Sequence, residues 1–494
     1  MATDNTVDTE ATLDPTDWEA MRALGHRMVD DMIDYTRTLR SGPPWRHAPQ
    51  AVKAHFRTPV PQQPMPAEDV YAEFVENVLP YPVGNNHPRF WGWVFGTGTL
   101  LGAYADLLAA VMNTNSGDLD HHSAIHVETQ LLAWLKELLG YPPEASGVLT
   151  SGCSAANLIG LAVARNARAG CDVRREGVAA TPRPLVLYAS EEIHSSIQKA
   201  VELLGLGSAA LRRVQVNAGY QIDPAALQTQ ITSDRAQGLQ PFCIVGAAGT
   251  TNTGACDDLN ALADVCAREA LWLHVDGAFG VWAALVPEVR AQVAGLERAD
   301  SLAFDLHKWM YMPYELACVL VRDAEAHCAT FAMSPVYLAR NHDGRGLSGG
   351  DLPWLTDYDL QLSRGFRALK AWMSFKEHGV EKYARLIRQN IAQCRYLAEL
   401  IEATPELELA APVTLNVVCF RFVNPFLSAE TLDALNRAIV VELQEQGIAV
   451  LSGTTLRGRY VLRVGHTNHR TRMEDFDMLL RKVMRIGDEL SRTY

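Results

Sequence analysis

Seven short runs, at 147–150, 184–189, 213–216, 242–247, 271–275, 301–306 and 316–321, are apolar almost throughout, and helical patterns such as 155–168, 193–204 and 259–269 fall between several of them. No other feature restricts the fold of the chain as much. A strand that is apolar on both faces must be covered on both, and a helix between strands is the crossover that parallel pairing requires. The alternation therefore predicts an α/β fold around a mostly parallel, seven-stranded sheet. Ligands of such sheets gather beyond the carboxyl ends of the strands, so the residues that follow each run are the ones to inspect for chemistry.

Those residues are rich in reactive groups. Run 184–189 leads into His194, run 242–247 into a hydroxyl-rich turn with Thr250 and Thr251, run 271–275 into Asp276, and run 301–306 into His307 and Lys308. Run 147–150 closes on Ser151-Gly152-Cys153-Ser154, small residues that open a helix and whose backbone N–H groups suit an anion. Composition sharpens the choice of amine. Of 44 basic residues only 8 are lysines, at 53, 136, 199, 308, 370, 376, 382 and 482, and Lys308 alone follows an apolar strand, while most of the others lie in polar helical contexts. An amine, a carboxylate, a stacking ring and a phosphate cradle are what pyridoxal 5′-phosphate (PLP) demands of a protein.

The flanking regions read differently. The first 14 residues are acidic, with neither an apolar core nor an arginine, and so read as a tail rather than a targeting signal. Thr16 and Glu19 are spaced as a capping box for a helix with Trp18, Met21, Met28, Met32 and Tyr35 at helical intervals. The proline-rich stretch 41–66 is expected to be an extended strap of the kind that wraps a partner subunit. After an amphipathic stretch at 364–378 come helix 381–403, strands within 407–423, helix 429–446, strands 448–451 and 459–464, and helix 472–491. The expected domains are an N-terminal helical arm (1–85), a large cofactor-binding domain (86–378) and a small α+β C-terminal domain (379–494).

A net charge of −13 gives no electrostatic drive toward a phosphate backbone, so nucleic acid is not an expected partner. No uncharged apolar run reaches the roughly 18 residues of a membrane span. The nine cysteines are scattered and form no CxxC pair, which points to a reducing compartment, the cytoplasm, and away from disulfides or a zinc ribbon. Two motifs are set aside. Gly96, Gly98 and Gly102, followed by Asp118, imitate a dinucleotide fingerprint with the last spacing one residue too long. His121, His122 and His126 contain an i, i+4 pair but lack the glutamate of a zinc protease, and no metal is expected.

On HVDGAFG (274–280), FDLHKWMYMPYE (304–315), EEIHSSIQKA (191–200), TSGCSAANL (150–158) and NNHPRFWGW (85–93), the chain resembles the PLP-dependent group II amino-acid decarboxylases, most closely the aromatic-L-amino-acid decarboxylases. The resemblance runs from about residue 16 to the C-terminus, and the pair HVDGA and HKW, 32 residues apart from Asp276 to Lys308, is its specific part. It implies a fold type I PLP enzyme acting as a homodimer with the active site at the subunit interface. It implies Lys308 as the Schiff-base lysine, Asp276 as the carboxylate on the ring nitrogen, Ala278 beneath the ring and His194 stacked above it. Thr251 and His307 would lie close to the cofactor, and Cys153 and Ser154 would bind its phosphate. Asp305 stands where relatives often carry Asn.

Tyr337, in a stretch with four glycines between 344 and 350, matches the mobile-loop tyrosine that returns a proton to the substrate carbon. The resemblance also implies a side-chain pocket from Trp93, Val94 and Phe95 with Tyr314 nearby, suited to an aromatic substrate. Asn115 and Gly117 depart from the apolar residues usual at those positions. The implied reaction is decarboxylation of an L-amino acid, with tryptophan, tyrosine, phenylalanine and dihydroxyphenylalanine all open. The alternatives are an oxidative aromatic aldehyde synthase and a decarboxylase of a non-aromatic amino acid.

Overall fold

The computed structural model describes residues 12–117, 121–333, 345–346 and 352–492, so Asp118, Tyr337 and most of the glycine-rich stretch beside Tyr337 lie outside the described residues. The chain forms two compact units that divide between Gly84 and Asn85.

The first unit carries helices α1 (Trp18–Thr38), α2 (Gln50–His55) and α3 (Ala67–Asn77). The cap of α1 is not the expected Thr16–Glu19 box. Asp17 caps it instead, its carboxylate accepting from the N–H groups of Glu19 at 3.0 Å and Ala20 at 2.9 Å. Helix α2 also corrects the extended strap, because Pro49 stands at its N-cap, where a missing N–H costs nothing, and the six residues that follow are compatible with a helix. Helices α1 and α3 are joined by Tyr71 donating to Asp31 at 2.7 Å and by an Arg27–Glu68 ion pair. Met21, Leu24, Met28, Val70, Tyr71 and Phe74 line an apolar groove of about 620 Å³.

The second unit holds two sheets. Helices α4 (Leu100–Met112) and α5 (Ser123–Leu139) precede β1 (Ser146–Thr150), α6 (Cys153–Arg168), α7 (Val173–Glu176), β2 (Leu185–Ser190), α8 (Ser195–Leu203), β3 (Leu211–Val214) and α9 (Pro224–Ala236). Then come β4 (Gln240–Ala247), α10 (Leu259–Glu269), β5 (Trp272–Asp276), β6 (Ser301–Asp305), β7 (Ala317–Val321) and α11 (Ala324–Phe331). The strand order is β1-β7-β6-β5-β4-β2-β3. Only β7 runs against its neighbours, so the sheet is mostly parallel, as the continuous apolar runs predict. Every residue of β2, β5, β6 and β7 is buried, which is why these strands are apolar on both faces.

Helices α12 (Ala368–His378) and α13 (Val380–Glu402) lead to the second sheet, built from β8 (Leu407–Leu409), β9 (Val417–Phe422), β10 (Ser452–Leu456) and β11 (Arg459–Gly465) in the order β10-β11-β9-β8. It is antiparallel and packs with α14 (Ala429–Glu445) and α15 (Met473–Ser491) around Phe420, Phe422, Leu443 and Phe476. The strand expected at 448–451 is displaced to β10. Residues 448–451 pair instead with the chain around Trp91, whose N–H donates to the Val450 carbonyl at 2.8 Å.

The glycine-rich stretch from 96 to 102 has a packing role. A Cβ on Gly96 would overlap the His307 carbonyl, and one on Gly102 would overlap the Pro313 ring, so these glycines let the segment lie against the loop after β6. Among the described residues no group of three His, Cys, Asp or Glu side chains could hold a metal ion, and no helix is long and apolar enough to cross a membrane.

Candidate active site

The ends of β1, β2, β5 and β6 converge on a cavity of about 140 Å³ whose wall includes Cys153, Ser154, His194, Asp276, Ala278, Asp305, His307 and Lys308. Gly152, Asn157 and Ser196 complete it. The parallel sheet explains the convergence, because each strand delivers its following residue to the same edge. Thr251 sits half-buried in the turn after β4 and is not part of this wall.

Asp276, the last residue of β5, is held from three sides. Its Oδ1 accepts from the Ala278 N–H at 3.2 Å and the Cys153 thiol at 3.5 Å, and its Oδ2 accepts from Asn157 Nδ2 at 3.2 Å. Half-buried Lys308 sets its Nζ 2.8 Å from Oδ2 of the buried Asp305. Burial works against the ammonium form, but the charge and hydrogen bond of Asp305, with the charge of Asp276 behind it, outweigh it and raise the lysine above its ordinary value. Asp305 Oδ1 accepts from the Cys153 N–H at 2.7 Å, so this carboxylate ties Lys308 to the first turn of α6. Both donors of Cys153 are therefore spent on carboxylates, and burial pushes its thiol well up. Ser154, by contrast, is exposed toward the cavity.

His194 stands at the N-cap of α8, its Nδ1 accepting from the Ser196 N–H at 3.2 Å. Desolvation lowers its pKa and the Lys308 charge adds to this, against the opposing pull of Asp276 and Asp305. His307 Nδ1 accepts from the Leu316 N–H at 3.1 Å, and burial lowers the imidazole below its usual range. Both rings are thus favoured as neutral imidazoles.

An aromatic row leads away from the cavity. His307 and Tyr314 have ring centroids 4.3 Å apart, Tyr314 meets Phe95 edge-on at 6.1 Å, and Phe95 stacks with Trp93 at 5.4 Å. Trp93 and Tyr314 are exposed, whereas Val94 turns into the hydrophobic core at 5% exposure and so does not line the row. Asn115 and Gly117 have structural duties. Asn115 Oδ1 accepts from the Arg364 N–H at 2.8 Å, and a Cβ on Gly117 would meet the Leu362 carbonyl and Thr356 at 2.7 Å. A larger apolar residue at either place would break that junction.

Sequence reasoning missed three parts. Asn157 lies one turn into α6, on the same face as Cys153, and the i, i+4 spacing in TSGCSAANL is a signal that could have found it. Asp305 emerges as the partner of Lys308 rather than a substitute of uncertain use. Arg463 holds the Trp93 carbonyl at 2.9 Å from the far C-terminal sheet, a contact across 370 residues that no local pattern announces.

The donor set fits PLP. A lysine amine, an acceptor-only carboxylate at the end of the central strand, a neutral imidazole and a helix N-terminus with a free-facing serine share one cavity. Residues 49–423 match the pyridoxal-dependent decarboxylase conserved domain. The chain is 33% identical over 479 residues to an aromatic-L-amino-acid decarboxylase of Bacillus atrophaeus, covering 96% of this chain and 97% of the relative. It is 31% identical to tryptophan decarboxylase 1 of Oryza sativa subsp. japonica, with coverages of 92% and 90%. Among solved structures, Oryza sativa TDC with PLP and tryptamine superposes with a TM-score of 0.89 at 28% identity, covering 97% of this chain and all of that one. A 4-hydroxyphenylacetaldehyde synthase of Rhodiola rosea shares the fold at a TM-score of 0.86 and 24% identity, with coverages of 96% and 99%.

Proposed function

The chain belongs to the pyridoxal-dependent decarboxylase family, and from that premise we propose that its substrate is an aromatic L-amino acid, converted to the amine and carbon dioxide at the Lys308 cavity. It is a PLP-dependent carboxy-lyase of fold type I. The observation that carries the substrate reading is the aromatic row from His307 through Tyr314 and Phe95 to Trp93, which offers ring faces and apolar area next to the reactive groups.

In this reading Lys308 Nζ would hold the cofactor, Asp276 would keep its ring nitrogen protonated, and Ala278 and His194 would flank its ring. When bound, PLP supplies the electron sink for the bond to the departing carboxylate. Ser154, whose hydroxyl is not engaged by the carboxylates that take both Cys153 donors, is the better candidate for the phosphate. His307 and Thr251 are assigned to the surroundings of the cofactor. Tyr337 gives a proton to the substrate carbon after carbon dioxide leaves. Retention of both Tyr337 and His194 favours amine over aldehyde as product.

The three parts of the chain divide this work: the arm pairs with a second copy, the seven-stranded sheet binds the cofactor, and the C-terminal sheet braces the substrate wall. Exposed Trp18, Met21 and Met28 on α1, and Leu107, Leu108, Val111 and Met112 on α4, are apolar area that supports a homodimer. Nine free thiols suit the cytoplasm.

The test is to supply tryptophan, tyrosine, phenylalanine, dihydroxyphenylalanine and glutamate separately and to measure carbon dioxide, amine and peroxide together. Amine and carbon dioxide in equal amounts from at least one aromatic substrate are expected. Turnover of glutamate alone would overturn the substrate reading, and peroxide matching carbon dioxide would replace the amine with the aldehyde.

A further inference from the structure

Behind the cavity, Asp276 and His194 are connected through a buried chain of polar groups whose donors and acceptors can all be assigned. Asn157, Ser301 and His274 are fully buried, and Trp272, Ser196 and Asp276 nearly so. Asp276 is an acceptor only, so the Asn157 atom 3.2 Å from its Oδ2 must be Nδ2. Nδ2 also donates to Ser196 Oγ at 3.0 Å, which leaves Oδ1 facing His274 Nε2 at 2.9 Å. His274 must then carry its proton on Nε2. Its Nδ1, 2.8 Å from Ser301 Oγ, accepts from that hydroxyl, and the same oxygen accepts from Trp272 Nε1 at 2.8 Å.

At the other end, Ser196 Oγ has accepted from Asn157, and its own hydrogen is free to go to His194 Nδ1 at 2.9 Å, beside the backbone N–H of Ser196. Two donors converge on Nδ1, which places the proton of a neutral His194 on Nε2.

A glycine marks the same arrangement. Gly160 lies inside α6, where glycine costs about 1 kcal/mol relative to alanine. A Cβ there would sit 2.6 Å from His274 Cε1 and 2.8 Å from its Nδ1. The helix gives up a better residue and thereby leaves room for the His274 ring.

We propose that Asn157 is a positioning residue, oriented by the Trp272–Ser301–His274 chain, that holds Asp276 in place and at the same time aims the Ser196 hydroxyl at His194 Nδ1. The proposal rests on the reading of Asp276 and His194 as the two groups that face the cofactor, but its consequence for the His194 ring does not depend on that reading.

The test uses the full-length protein labelled with nitrogen-15 histidine, with and without added PLP, and assigns the His194 signals by difference against His194→Gln. The wild-type ring is expected as Nε2–H. Asn157→Leu and His274→Leu leave the Ser196 N–H on Nδ1, so the ring is expected to stay Nε2–H while its Nδ1 signal shifts as the Ser196 hydroxyl turns away, and PLP binding is expected to weaken about 10- to 100-fold, the usual size of outer-shell orienting effects. His274→Gln, which keeps a donor toward Asn157, is expected to restore most of both. Should Asn157→Leu fail to fold, Gly160→Ala and Ser301→Ala disturb the chain from behind and are expected to shift the Nδ1 signal in the same way. An unshifted Nδ1 signal and unchanged PLP affinity in the folded variants would overturn the proposal. A shifted Nδ1 signal without a change in PLP affinity upholds the chain of hydrogen bonds and instead counts against His194 and Asp276 as cofactor-facing groups.

Discussion

The two sides of the cavity are built in different ways. The floor consists of residues that end or closely follow strands of one sheet, Asp276 at the end of β5, Asp305 at the end of β6 with His307 and Lys308 just beyond, His194 after β2 and Cys153 after β1. The aromatic wall has no such scaffold of its own. Trp93 has φ 51, a left-handed conformation costly for a residue with a large side chain, and its carbonyl is held by Arg463 Nη1 at 2.9 Å. A Cβ on Gly465 would overlap that same carbonyl, so a bare position on β11 is what lets Trp93 come close. The Phe95 carbonyl accepts from Thr467 Oγ1 at 2.8 Å. The reactive groups are thus placed by the large sheet, and the aromatic wall proposed for the substrate is braced from the C-terminal sheet. The two should come apart under mutation, with floor variants losing turnover and wall variants losing selectivity.

The largest effects belong to the floor. Lys308→Ala is expected to remove turnover and the visible absorption of the bound cofactor together, and a variant that kept either would refute the assignment of Lys308. Tyr337→Phe is expected to change the product, with amine yield falling and aldehyde, ammonia and peroxide appearing as the carbanion meets oxygen. Normal amine yield from that variant would remove Tyr337 from the mechanism.

This difference in construction also governs how much could be read in advance. The seven strands of the large sheet are continuous apolar runs because both their faces are covered, and a chemistry-bearing residue directly after such a run has one place to go. That Lys308, Asp276 and His194 meet at one edge of the sheet was legible for that reason. The wall was legible only as a cluster of aromatics. Its support comes from Arg463 and Thr467, roughly 370 residues away, and depends on a register that strand β10 takes four residues later than its sequence suggests. Val94 shows the limit in one residue: it sits between two wall aromatics, yet the left-handed turn at Trp93 sends it into the core. Asn157 was hidden for another reason, since a buried polar residue in a helix declares its partners only when the neighbouring strands are in place.

For the wall, Arg463→Ala and Trp93→Ala are expected to raise KM for an aromatic amino acid about 10-fold or more while leaving kcat within a few-fold, the size of a lost contact of 1–3 kcal/mol. Steady-state kinetics with tryptophan and phenylalanine provide the check. A fall in kcat at constant KM would show that the wall serves the reaction itself, and the division drawn above would fail.

Acid should affect both sides alike. His274 behind the floor and His466 beneath the wall are fully buried, and burial depresses each to about 3. An unfolded histidine titrates near 6.5. Above that value both states are neutral and nothing is lost. As the pH falls below it, the unfolded chain takes up protons that the folded chain refuses, and stability drops by about 1.4 kcal/mol per unit for each ring until the folded pKa is reached. Urea unfolding at pH 5 and pH 7 should therefore differ by about 2 kcal/mol per histidine. His274→Gln and His466→Gln should each remove about the same share of that difference. Unequal shares would mean that the floor and the wall do not unfold together.

The smallest expected effect separates bracing from mere contact. Thr467→Val keeps the volume of the side chain and removes only the donation to the Phe95 carbonyl. Thr467 is 1% exposed, so no water replaces the lost hydroxyl, and a neutral hydrogen bond of this kind is worth about 1 kcal/mol. If the bond positions Phe95, part of that loss falls on the bound substrate, and KM for aromatic substrates rises about 2- to 5-fold. If it only ties two segments together, the melting temperature falls and KM does not move. Measuring both on the same variant decides whether the C-terminal sheet shapes the pocket or simply sits behind it.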